Sequence, residues 1–307
     1  MTGGPFATVA VCTRNRAALL DACLRSLLAQ SVEPRLYRVL VVDNGSQDAT
    51  RAVVERHAAA DARVDYAWEG EPGIAVARNR ALAAVATPLI AFIDDDATAR
   101  ADWLERLAAP FAKVSPRPTA VGGEVDPVWT APRPPWLSDD LLTFYSASMR
   151  LAGAPRFIVE GEWIFEGNCM VDCDALRSVG GFPAALGRRD GSLLSSENLA
   201  YERLRQTGHG IWFEPAARIA HLIHADRLNL RWLRRRVFWQ GVSQSRCHRE
   251  LHRLGLKVAR PQLTVPTSFA HWRAQIQASE AMENVAEMVT HLYGLGYVFD
   301  QLELMDR

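Results

Sequence analysis

PLIAFIDDDATARADWL, residues 88–104, sets an apolar run, Leu89 to Ile93, directly against three carboxylates, Asp94, Asp95 and Asp96. Like charges side by side repel one another, so a fold that keeps them together is expected to hold something positive there. A short apolar run bounded by polar residues reads as a buried strand. Carboxylate oxygens at its end suit a hard divalent cation, Mn²⁺ or Mg²⁺. The competing reading is a helix N-terminus with acidic residues in its first turn, ahead of ADWLERLAAPFAK.

The residues before this run repeat one pattern. FATVAVCT (6–13), YRVLVVDNGS (37–46) and RVDYAWE read as strands. Between them AALLDACLRSLLAQ (17–30) places Leu20, Cys23, Leu24, Leu27 and Leu28 on one helical face. SQDATRAVVERHAAA reads as a second helix with Ser46 as N-cap, and GIAVARNRALAAVA as a third. TAVGGEV follows as a fifth strand. Strand and helix alternating through short connections predict an α/β fold, a mostly parallel sheet flanked by helices on both faces. Ligands bind such sheets beyond the carboxyl ends of the strands. Three of those ends are polar: Thr13-Arg14-Asn15-Arg16, Asp43-Asn44-Gly45-Ser46 and the three aspartates.

Composition shifts after about residue 125. DPVWTAPRPPWLSDD reads as a Pro- and Trp-rich loop leaving the sheet, and aromatic residues cluster from Trp129 to Trp163. Helical stretches are expected over 195–208 and 227–255, and a helical hairpin or one long helix over 270–304. The expected organisation is an α/β half over residues 1–125, a second half of the same domain over 126–255, and a helical C-terminal extension over 256–307.

Hydrophobic residues make up 49% of the 307, enough for a sizeable core, and Lys plus Arg equals Asp plus Glu at 35 each. That balance argues against a nucleic-acid partner. MTGGPFATVAVCTRNR lacks the basic start and long apolar core of a signal peptide, and five scattered cysteines suit reduced thiols. A cytoplasmic location is expected. The Arg-rich RWLRRRVFWQG keeps peripheral membrane contact open, and the C-terminal helices keep a homodimer open.

Several residues carry candidate chemistry. Asp43 could accept hydrogen bonds from a ribose or base, or close an Asx-turn. Gly73 starts a helix in which Arg78 could face phosphate. His221 and His224 sit three apart in HLIH, and His221 is the preferred metal ligand beside Asp96. Arg235 and Arg236 are candidates for a diphosphate-binding lid. There is no Gly-Lys-Ser/Thr phosphate loop, and the glycines of MTGGPFATVAV precede the first strand, which argues against a nicotinamide dehydrogenase.

VAVCTRNRAALLDACLRSLLAQ, LVVDNGSQDAT, GIAVARNRALAA, IAFIDDDA and VEGEWIFEGNCMVDCDALRSVGGFPAALGRRDGSLLSSENLAYERLRQTGHGIWFEPAARIAHLIH together resemble a family 2 glycosyltransferase of the GT-A fold, over roughly residues 6–245. The resemblance implies a Rossmann-like sheet and a nucleotide diphosphate-sugar donor. It makes Asp96 the direct metal ligand and sets Asp94 nearer the ribose or base, with Asp95 also on the nucleotide side. It matches Asp43 to the base contact and Thr13, Arg14 and Arg16 to the nucleotide loop. Asn168 falls near the donor sugar and acceptor, and His221 approaches the metal. It implies inverting transfer to an acceptor hydroxyl of a natural product or glycan. Glu197, in Ser196-Glu197-Asn198, matches the general base, although the family usually has a second carboxylate there; Glu202 is the nearby alternative. A nucleotidyltransferase of related fold and a non-catalytic nucleotide-sugar-binding protein are the rival classes.

Overall fold

The computed structural model describes residues 4–147, 153–159, 161–184, 197–206, 210–256 and 269–301. Leu89–Ile93 forms β4, buried along its whole length. It lies beside β1 (Ala7–Thr13), β2 (Tyr37–Asp43) and β3 (Val64–Trp68) in the order β3-β2-β1-β4, all parallel. Helices α1 (Ala17–Leu28), α2 (Thr50–Ala60) and α3 (Ile74–Ala84) make the crossovers. Leu20, Leu24 and Leu27 recur at helical spacing on α1 and are fully buried. The strands end in register, with Thr13 opposite Asp43 and Asp43 opposite Trp68, so their polar ends share one edge.

Helix α2 starts later than its sequence suggests. Ser46 does not cap it; its backbone N–H donates to Asp43, and Asp48 accepts from the Thr50 N–H at 3.0 Å. The three aspartates do not open a helix either. Ala97–Ala99 forms a short strand, β5, and α4 (Trp103–Lys113) begins only after it.

The second half completes the sheet with β6 (Ala120–Trp129), β7 (Arg156–Phe157), β8 (Asn168–Asp172) and β9 (Ile211–Ile223). β8 inserts antiparallel between β4 and β6, and β9 runs parallel to β6. β6 continues through the segment that reads as a loop. Pro127 is accommodated because β8 accompanies β6 only over Ala120–Gly122, so among the described residues one side of the later strand has no ladder. Between β8 and β9, α5 (Cys173–Ser178) is N-capped by Asp172, and α6 (Glu197–Gln206) follows.

The C-terminal part comprises α7 (Leu230–Arg253), α8 (Phe269–Glu280) and α9 (Val285–Gln301). α7 and α9 approach closely at two glycines: a Cβ on Gly241 would lie 2.1 Å from the Tyr293 carbonyl, and one on Gly296 would lie 2.0 Å from that of Phe238. Leu233 and Val237 of α7 and Met288, Leu292 and Leu295 of α9 share a second core with Leu137, Leu141, Leu142 and Tyr145. The terminal helices therefore pack onto the second half. No described helix is long and apolar enough to cross a membrane.

Candidate active site

Cations surround the three aspartates, as their repulsion requires. Arg16, just beyond β1, donates to Asp95 at 3.0 Å and to Asp96 at 2.6 Å. Thr13 donates to the other Asp95 oxygen at 2.7 Å. Burial opposes the charge of Asp96, but His221, Arg16 and Arg227 outweigh it and hold its carboxyl well below the usual range. Burial pushes Asp95 up to about 6, with Arg16 opposing that rise. Burial likewise opposes the charge of Arg16, and the two aspartates reverse the effect and raise its pKa. Arg14 is exposed at the same strand end.

His221 reaches this point through strand pairing. The β6–β9 ladder shifts register between Gly123 and Glu124: Gly123 lies opposite Glu214, but Glu124 lies opposite Arg218. The extra residues on β9 set His221 opposite Ala97 of β5, and the Leu222 N–H donates to the Asp96 carbonyl at 2.9 Å. The His221 Nε2 then lies 3.3 Å from one Asp96 oxygen, and the His224 Nε2 lies 3.7 Å from the other. One ligand atom from each of Asp94, Asp96 and His221 falls within 4.8 Å of the others. Two carboxylates and an imidazole form a donor set that fits Mn²⁺ or Mg²⁺.

Asn168 does not line the site. It is fully buried, donates to the Glu124 and Ala217 carbonyls at 2.7 and 3.0 Å, and accepts from Trp103 Nε1 at 2.7 Å. All of its amide hydrogens and its oxygen are engaged, so it secures the register shift that places His221. The expectation that Asn168 contacts donor or acceptor gives way to this structural role.

Asp43 is 1% exposed. Its oxygens accept from the Ser46 N–H at 2.8 Å and the Tyr66 hydroxyl at 3.1 Å. Burial, then Asp43 itself, pushes the Tyr66 phenol up to about 12. Next to it, Asn44 donates to the carbonyls of Glu69 and Glu71 and accepts from the Gly73 N–H at 2.8 Å. Gly73 has φ +146°, a conformation that favours glycine, and this lets the loop turn into α3.

Arg78 is not free for phosphate in this structure. It is 7% exposed, forms an ion pair with Glu166, and lies 3.5 Å from Asp94. Asn79, the next residue, clamps the Gly180-Gly181-Phe182 turn by donating to the Phe182 carbonyl at 2.7 Å and accepting from its N–H at 2.9 Å. That turn precedes α6, which Glu197 opens; the Glu197 side chain lies outside the described residues. Glu202 is held by Arg205 and Gln206, which ties it to its own helix rather than to the aspartates.

From the Arg-rich region the structure brings Arg227 to Asp96, at 3.9 Å, instead of Arg235 or Arg236. Arg236 is buried within α7 and Arg235 is exposed on it. Sequence reasoning missed Arg227, Glu166 and Tyr66. Only Arg227 left a usable signal, a cation three residues past His224 where β9 ends.

The family model described as Glycosyl transferase family 2 matches residues 8–158. A glucosyl-dolichyl phosphate glucuronosyltransferase of Haloferax volcanii is 30% identical over 77% of this chain and 75% of its own length. The succinoglycan biosynthesis protein ExoM of Rhizobium meliloti is 28% identical over 78% of this chain and 74% of its own. Among solved structures, the mannosyltransferase PcManGT from Pyrobaculum calidifontis, in complex with GDP-Man and Mn²⁺, is similar with a TM-score of 0.65 and 18% identity. That match covers 98% of this chain and 88% of the other.

Proposed function

Within glycosyltransferase family 2, to which this chain belongs, we propose an inverting enzyme that moves a sugar from a nucleotide diphosphate-sugar to an acceptor hydroxyl. The observation that carries the reading is the convergence of Asp94, Asp96 and His221 within 4.8 Å, with Arg16 and Arg227 beside them. A divalent ion held by these three side chains would neutralise charge on the leaving diphosphate. Arg16 and Arg227 present forked guanidinium donors to the phosphate oxygens. Thr13, Arg14, Asp43 and Gly73 form the nucleoside end. Glu197 accepts the proton of the acceptor hydroxyl. The hydroxyl oxygen bonds to the anomeric carbon from the face opposite the diphosphate. The bond from that carbon to the phosphate oxygen breaks, and its electron pair leaves with the diphosphate. The nucleotide sugar and Mn²⁺ bound by the mannosyltransferase of similar fold support this reading.

Calorimetric titration of UDP, GDP and dTDP, with and without Mn²⁺, tests it. Mn²⁺-dependent binding of one diphosphate is the expected result and narrows the donor to sugars carried by that nucleotide. A folded protein that binds none of them with metal present would overturn the assignment of Asp43, Asp94, Asp96 and His221.

A further inference from the structure

Glu166 has no part in the reaction described above, yet it is 3% exposed and its Oε1 has no hydrogen-bond partner among the described residues. Its ion-pair partner is Arg78, itself 7% exposed. The same guanidinium reaches toward Asp94 through its other terminal nitrogen, at 3.5 Å. The adjoining Gly167 leaves room for the same carboxylate, since a Cβ there would lie 2.4 Å from Asp94 Oδ2. Arg78 thus stands between a buried carboxylate and one whose side chain is 37% exposed. A guanidinium does not lose its proton in a protein, and a buried charge stripped of its partner seeks another. Among the described residues, the other carboxylate paired with Arg78 is Asp94.

We infer that Glu166 is a positioning residue that sets the charge of the metal site: it holds Arg78 back, so that Asp94 keeps an oxygen and its negative charge for a divalent cation. This rests on the proposed metal site.

The test is Mn²⁺ alone, titrated into the full chain and followed by electron paramagnetic resonance. Glu166→Gln is expected to weaken Mn²⁺ binding by about tenfold or more, in the range seen when residues behind a metal ligand are changed. The double variant Glu166→Gln/Arg78→Met removes both charges and is expected to return to within about threefold of the parent. A merely structural role would lower the unfolding temperature of both variants without restoring Mn²⁺ affinity in the double one. Should Glu166→Gln not fold, the double variant alone carries the test. The inference is overturned if Glu166→Gln binds Mn²⁺ like the parent, or if the double variant binds far more weakly than the parent. A parent chain that binds no Mn²⁺ would remove the metal site itself, a distinct failure.

Discussion

Asp43 ends β2 and Asp96 lies just past β4, the strands on either side of β1, and both are almost sealed from solvent. Their surroundings differ. Asp43 accepts from a phenol and a backbone N–H, neutral donors that also shape the turn behind it. Asp96 faces Arg16, Arg227, His221 and His224. The first arrangement fixes a loop with neutral donors at the proposed nucleoside end. The second gathers positive charge and imidazole nitrogens around one, as a site for a cation and an anionic ligand demands. An acidic strand end acquires its function from what the rest of the fold brings to it.

The largest expected effect lies outside both strand ends. Glu197→Gln should lower turnover by about 10²–10⁴-fold, the usual contribution of a general base, while nucleoside diphosphate affinity stays within about twofold. Steady-state kinetics and calorimetry on one preparation check this, and normal turnover would take the base role from Glu197. The contrast between the strand ends is tested directly by paired variants. Asp96→Asn should weaken Mn²⁺ binding by more than about a hundredfold, beyond the effect of changing a residue behind a ligand. Asp43→Asn should leave Mn²⁺ affinity within about twofold and cost about 1–2 kcal/mol of stability through its lost hydrogen bonds. Equal losses of Mn²⁺ affinity in the two variants would erase the distinction. A control far from both is Gly296→Ala, whose new methyl group meets the Phe238 backbone. It should cost about 1–3 kcal/mol in urea unfolding with Mn²⁺ affinity unchanged.

The same two strand ends mark what can be read without a structure. The parallel half is legible because its chemistry is local: apolar runs end in Thr13, Asp43 and Asp94–Asp96, and parallel pairing puts those ends on one edge. The other half depends on register. His221 meets Asp96 only because β9 gains residues against β6, and Asn168, which resembles a ligand contact by motif, is consumed in securing that shift. The density of arginines around Arg235 and Arg236 drew attention from Arg227, whose position follows from where β9 stops. Glu166 shows no signal in sequence, because its burial depends on an arginine from α3 folding back against it. Pro127 and Trp129 read as loop residues, although a strand paired on one side tolerates both.

The smallest expected effect concerns Asp95, which sits between the two situations: buried, bonded to Thr13, and paired with Arg16. Burial raises its carboxyl from 3.8 to about 6; Arg16 opposes the rise and Asp96 adds to it. A carboxyl whose folded pKa is raised contributes stability that is fully present below its unfolded value, about 4, and lost as pH rises through about 6. Asp96 has the opposite sign. Its contribution is present above 3.8 and lost as pH falls below that, so it is constant across the window in which Asp95 titrates. Asn at position 95 carries no charge at any pH. The Asp95→Asn variant should therefore gain stability relative to the parent between pH 4.5 and pH 8, by about 1–3 kcal/mol for a shift near two units. The interaction with Arg16 is already contained in that raised pKa and adds no separate pH dependence. Urea unfolding of both proteins at the two pH values, with chelator present to keep cations off the site, measures the difference. A flat difference would mean that Asp95 stays ionised throughout and that Arg16, rather than burial, governs it. Asp95 would then belong with Asp96 among the carboxylates held by cations.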